Sequence, residues 1–171
     1  MIFHEVRQQN SFKMIQIALL LAFVIPGVLF FLSQQKILQV IKPENREMSP
    51  GSVWLQFIPA FGLIWQFFVV ARIARSISKE MASRLGDTIL DSSQVQMKGT
   101  DDSSTYTIGI AYCILTTLGV IINYSTRYSP YSLALFGSVF VLTGMVCWII
   151  YWVRLVNTKN KLLVLSAGIS G

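Results

Sequence analysis

Charged residues punctuate this chain at long intervals, and the stretches between them are mostly apolar. Lys13 and Lys36 bracket an ion-free window at 14–35, and Glu47 and Arg72 bracket another at 48–71. Asp102 and Arg127 bracket 103–126, and Arg127 and Arg154 bracket 128–153. Each window exceeds the roughly 20 residues a helix needs to cross the hydrocarbon of a bilayer. A soluble helix of that length normally carries a polar face, so four uncharged ones in succession call for lipid as the solvent. The pattern predicts an all-α polytopic membrane protein, an antiparallel bundle of four transmembrane helices at 14–33, 53–73, 106–124 and 132–155. These make a single membrane domain over 1–171.

Local signals refine the boundaries. Pro26 removes an internal hydrogen bond and predicts a kink in the first helix. The apolar run after Lys13 is too long for a signal-peptide core and has no small-residue cleavage site after it, so it reads as a retained anchor. The connection 34–52 reads as an external loop whose Ile37–Ile41 stretch rests at the interface, with Ser49-Pro50-Gly51-Ser52 as turn chemistry before the second helix. That helix is expected to continue past the membrane over 74–86. There Ile73, Ile77, Met81 and Leu85 form one stripe, Arg72, Arg75 and Lys79 lie opposite, and Gly86 is the C-cap. A polar linker, 87–105, follows, with Ser103, Ser104 and Thr105 as candidate N-caps of the third helix. A tight turn at Ser129-Pro130 then demands an antiparallel hairpin of the last two helices.

Composition and charge add orientation. The chain is 53% hydrophobic and only 13% charged, about half the charged share of a soluble domain. Its net charge of +6 is better explained by topology than by nucleic acid. With both termini inside, Arg7, Lys13, Arg72, Arg75, Lys79, Arg84, Lys98, Arg154, Lys159 and Lys161 face the cytoplasm. Lys36, Lys42, Arg46 and Arg127 face out, a ratio of ten to four that satisfies the positive-inside rule. Aromatic residues fall where interfaces are expected: Trp54, Tyr124, Tyr128 and Tyr131 outside, Tyr106, Trp148, Tyr151 and Trp152 inside.

Reactive chemistry is sparse. No Asp, Glu, His, Lys or Arg lies in the four windows 14–35, 48–71, 103–126 and 128–153, which argues against proton-coupled carriers. His4 is the sole histidine, no zinc spacing occurs, and neither a P-loop nor a nucleophile elbow is present. Cys113 and Cys147 read as packing residues within spans. No enzymatic activity, cofactor or metal is expected. The locally polar part of helix two is the exception. There Gln56, Pro59 and Gln66 are candidate pore or pocket lining, or else hydrogen bond to neighbouring helices. Gly109, Cys113, Thr117, Gly137 and Gly144 are small residues suited to helix packing or to contact between subunits. Arg72, Arg75 and Lys79 suit anionic lipid headgroups or a partner.

The run Pro50-Gly51-x-Val53-Trp54-Leu55-x-x-Ile58-Pro59-x-Phe61-x-x-x-Trp65-x-Phe67 resembles small, uncharacterised bacterial membrane proteins with four helices. So does Cys147-Trp148-Ile149-Ile150-Tyr151-Trp152-Val153-Arg154 with Lys159-Asn160-Lys161-Leu162 after it. The resemblance covers about half the chain. It implies a bacterial inner membrane and brings no activity or functional residues. The leading expectation is a non-enzymatic membrane protein that self-associates as a homo-oligomer or joins other membrane subunits. The alternative is an oligomeric channel for ions or small solutes with helix two along the path.

Overall fold

The computed structural model describes the backbone of residues 2–86, 95–125 and 131–168, with side chains over 13–18, 20–22, 24–84, 104–125 and 135–166. Four α-helices account for most of it: α1 Ile2–Val40, α2 Phe61–Gly86, α3 Val95–Ser125 and α4 Tyr131–Gly168. Two 3₁₀ segments, Pro43–Asn45 and Pro50–Phe57, fill the connection from α1 to α2. Segments Lys13–Val40, Phe61–Arg84, Ser104–Ser125 and Leu135–Ser166 are each long and apolar enough to cross a membrane. The expected spans 14–33, 106–124 and 132–155 are thus present as helices that run beyond their expected limits, whereas the second begins at Phe61, not Val53, and continues to Gly86. The Ser129-Pro130 turn lies outside the described residues.

The chain divides into two compact units, Met1–Leu32 and Ser33–Gly171. The first is α-helical from Ile2 onward, and the helix passes through Pro26 without a break. The second contains the last two turns of α1 and everything after them.

Within the second unit, α3 and α4 form an antiparallel pair at glycine-mediated close approach. A Cβ on Gly119 would lie 2.6 Å from Val141 Cγ2 and 2.9 Å from its backbone nitrogen. One on Gly144 would lie 2.8 Å from Thr116 Cγ2, and one on Gly137 2.7 Å from Asn123 Nδ2. Further along, Tyr112 stacks on Tyr151 with ring centroids 5.8 Å apart. α2 runs antiparallel to α3: Gln66 donates to Thr117 Oγ1 at 3.1 Å, and Val70 faces Gly109. α2 is therefore parallel to α4, and Arg84 near its end donates to Leu162 O at 3.0 Å.

The α1–α2 connection departs from expectation. The structure replaces an external loop followed by a helix from Val53 with a chain that turns back on itself. Ile37, Leu38 and Ile41 are fully buried, not laid on an interface. Lys42 and Asn45 then reach Glu80, and Glu47 reaches Ser76 and Lys79. From there the chain descends beside α2, with Trp65 Nε1 donating to Ser52 O at 2.8 Å. Two prolines explain why this is no α-helix. Pro50 opens the 3₁₀ segment, and at its other end Ile58, which precedes Pro59, is extended at φ −74°, ψ 117°, the conformation a following proline favours. Ala60 then adopts φ 62°, a left-handed conformation costly for a residue with a Cβ. Gly62 N donates to Ile58 O at 2.7 Å as α2 begins.

The consequence is a correction of topology. Residues 41–49, expected on the far side from 74–86, lie at the same end of the second unit. The last turns of α1 run parallel to α2 and α4, with Ser33 beside Trp152 and Lys42 beside Glu80. A purely antiparallel order does not hold there. The expected linker is also shorter, because residues 95–105 belong to α3, and Ser103, Ser104 and Thr105 lie within that helix, not at its cap.

Candidate functional site

The polar chemistry of the second unit gathers at the end where α1 finishes and α2 and α4 extend. Its centre is Glu80, whose side chain is fully buried. The carboxylate accepts from Arg84 Nε at 2.7 Å, Asn45 Nδ2 at 2.7 Å and the Lys42 backbone N–H at 3.1 Å. A buried charge is tolerated only when paired and hydrogen bonded, and three donors meet that condition. Arg84 in turn ties α2 to α4 through Leu162 O. One ion pair therefore joins the α1–α2 connection to two helices.

A second link lies nearer water. Glu47 pairs with Lys79, and the Glu47 N–H donates to Ser76 Oγ at 2.9 Å. The hydrogen bond and charge of Lys79 hold the Glu47 carboxyl below its ordinary range, with Arg75 and Arg72 adding to the effect and slight burial opposing it.

The residues singled out from sequence are distributed over separate contacts. Gln56 Nε2 donates to Gln34 Oε1 at 2.7 Å and to Val53 O. Gln66 Nε2 donates to Thr117 Oγ1 and Leu63 O. Pro59 is exposed at the break before α2. The two glutamines thus serve different neighbours. Gly109, Cys113, Gly137 and Gly144 are buried within the chain, and Thr117 is taken up by Gln66, so these small residues are engaged internally. Both cysteines are free thiols. Of the basic stripe, Arg72 sits over the Trp65 ring at 5.9 Å, Lys79 pairs with Glu47, and Arg75 is exposed. Among the expected belt aromatics, Tyr151 is buried, Trp152 donates to Ser33 Oγ at 2.9 Å and Trp54 to Gln35 Oε1 at 2.8 Å, so these three are packing residues.

Sequence reasoning missed Glu80 and Arg84. The signal was available: 73, 77, 80 and 84 follow the i, i+4, i+7, i+11 spacing of one helix face. It missed a groove too. A cavity of about 650 Å³ lies between Met81 of α2, Thr105 of α3 and the Arg154–Leu165 stretch of α4. Arg154 bonds Ser104 Oγ across its α3 side.

Compared with known protein families, curated proteins and solved structures, the chain matches none.

Proposed function

We propose that this is a non-enzymatic, multi-pass protein of a bacterial inner membrane that works by association, as a subunit of a homo-oligomer or of a larger membrane complex. The supporting observation is how its polar groups are used. Glu80 and Arg84 are consumed in a structural pair, and Gln56 and Gln66 in bonds within the chain. What the second unit offers outward is a braced end carrying Lys42, Arg75, Lys159 and Lys161. By the positive-inside rule this end faces the cytoplasm, together with the final turns of α4. That assignment keeps 74–86 and the C-terminal region inside and moves Lys42 and Arg46 to the same side.

The test is the assembly state in lipid. Protein extracted and held in nanodiscs should migrate as more than one copy, or with other membrane subunits attached. A strict monomer at every concentration, bringing no partner, would defeat the proposal.

One observation favours a pore as the second reading. Gln34 is fully buried and its Nε2 has no hydrogen-bond partner among the described residues, beside Gln56 at the helix break. An unsatisfied buried amide is a place for water or a polar solute. Reconstituted protein should then conduct, and Gln34→Leu should change the conductance. Bilayers that stay silent under varied voltage and pH would remove this reading.

A further inference from the structure

We propose that the groove between α2, α3 and α4 holds the phosphate headgroup of one anionic membrane lipid. The inference rests on the reading that the helices lie in a bilayer. Arg154, Asn157, Thr158 and Lys161 all line the groove. They stand at i, i+3, i+4 and i+7 of α4 and so share one face of the helix. That face offers two cations and two neutral hydrogen-bonding side chains, the chemistry that recognises a phosphodiester. Arg154 spends part of its guanidinium on Ser104 Oγ, but a guanidinium carries five N–H donors. Met81, Val164 and Leu165 supply an apolar wall to the same groove.

Depth identifies the source of the phosphate. α4 begins at Tyr131, and its first charged residue, Arg154, follows 23 residues later. At about 1.5 Å per residue this is about 35 Å, enough to cross the hydrocarbon of a bilayer. The groove therefore opens at headgroup level, where a lipid meets the cations with its phosphate and the apolar wall with its glycerol and upper acyl carbons. A soluble phosphate compound has no use for that wall.

The test is native mass spectrometry of the whole protein in detergent, titrated separately with phosphatidylglycerol, phosphatidylcholine and inorganic phosphate. Wild type should retain one phosphatidylglycerol in preference to phosphatidylcholine. Arg154→Gln with Lys161→Gln should weaken it about tenfold or more. Thr158→Trp, which keeps both cations and fills the groove, should also abolish the tight site, so the result does not depend on the charge variant folding. Lys36→Gln, exposed and outside the groove, should leave it unchanged. Equal weakening by Lys36→Gln, equal retention of both lipids, or full displacement by inorganic phosphate would overturn the proposal. Failure of the membrane reading would show differently, as protein that stays folded and dispersed without detergent.

Discussion

Two regions of the second unit hold helices together by different means. The α3–α4 pair relies on shape: Gly119, Gly137 and Gly144 remove side chains so that backbones and neighbouring residues approach closely. The region joining α1 to α2 relies on polar bonds, with Glu80 at its centre and Gln34, Gln56 and Trp54 along the descending strand of chain. In the bilayer proposed for these helices, lipid offers little hydrophobic drive between them, so packing and hydrogen bonding are the available means. Regular helices can use packing alone. A segment broken by Pro50 and Pro59 frees backbone groups and needs polar partners as well.

The largest expected effect separates the two means directly. Glu80→Ala leaves Arg84 largely buried without its carboxylate and should cost about 3–5 kcal/mol, read as the unfolding midpoint in detergent. Glu80→Met combined with Arg84→Met should recover much of that loss, because the pair is removed together. No recovery would mean that the bonds from Asn45 and Lys42, and not the ion pair, dominate.

Close approach ranks next. A Cβ on Gly62 would lie 2.2 Å from the Gln56 carbonyl oxygen, which is backbone. Gly62→Ala should therefore destabilise by about 1–3 kcal/mol, as should Gly119→Ala against Val141. An unchanged midpoint for Gly119→Ala would show that α3 and α4 are not packed as described. Gln66→Leu should cost about 1 kcal/mol by losing its bond to Thr117. Ala60→Gly should act in the opposite direction, stabilising by up to about 1 kcal/mol because glycine tolerates φ 62°.

The smallest effect concerns pH. The folded-state pKa of Glu47 is depressed, so the Lys79 link stabilises above the unfolded carboxylate pKa. That contribution is lost as pH falls through the lower, folded value. Because Lys79 is exposed to solvent, the pair should give only a slight acid-side decline, and Glu47→Gln should remove it. A Glu47→Gln profile identical to wild type would show that the pair contributes nothing.

How much of this was legible follows from the same contrast. The ion-free windows located all four long helices, because length and hydropathy are local properties. The α3–α4 glycines were visible as small residues, although Gly119 was overlooked. The break at 50–60 was misread because the 48–71 window is uniformly uncharged. Its two prolines carried the contrary signal, since a helix free of both starts only after Pro59. The far side of that break was harder. That Lys42, Asn45 and Glu47 meet Ser76, Lys79 and Glu80 is a long-range fact that no periodicity encodes. The ten-to-four charge count assumed the opposite. The groove was illegible for a similar reason, since it takes three helices to form, although its α4 stripe at 154, 157, 158 and 161 was open to reading.

The central claim is that the α1–α2 connection lies at the same end as the extension of α2, and side-specific labelling tests it most directly. Glu44 and Ala82 are both exposed and accept a cysteine without disturbing a described contact. In intact cells treated with a membrane-impermeant maleimide, Glu44→Cys and Ala82→Cys should both stay unmodified, and both should react once the membrane is opened. Labelling of Glu44→Cys from outside while Ala82→Cys stays protected would contradict the fold proposed for this connection.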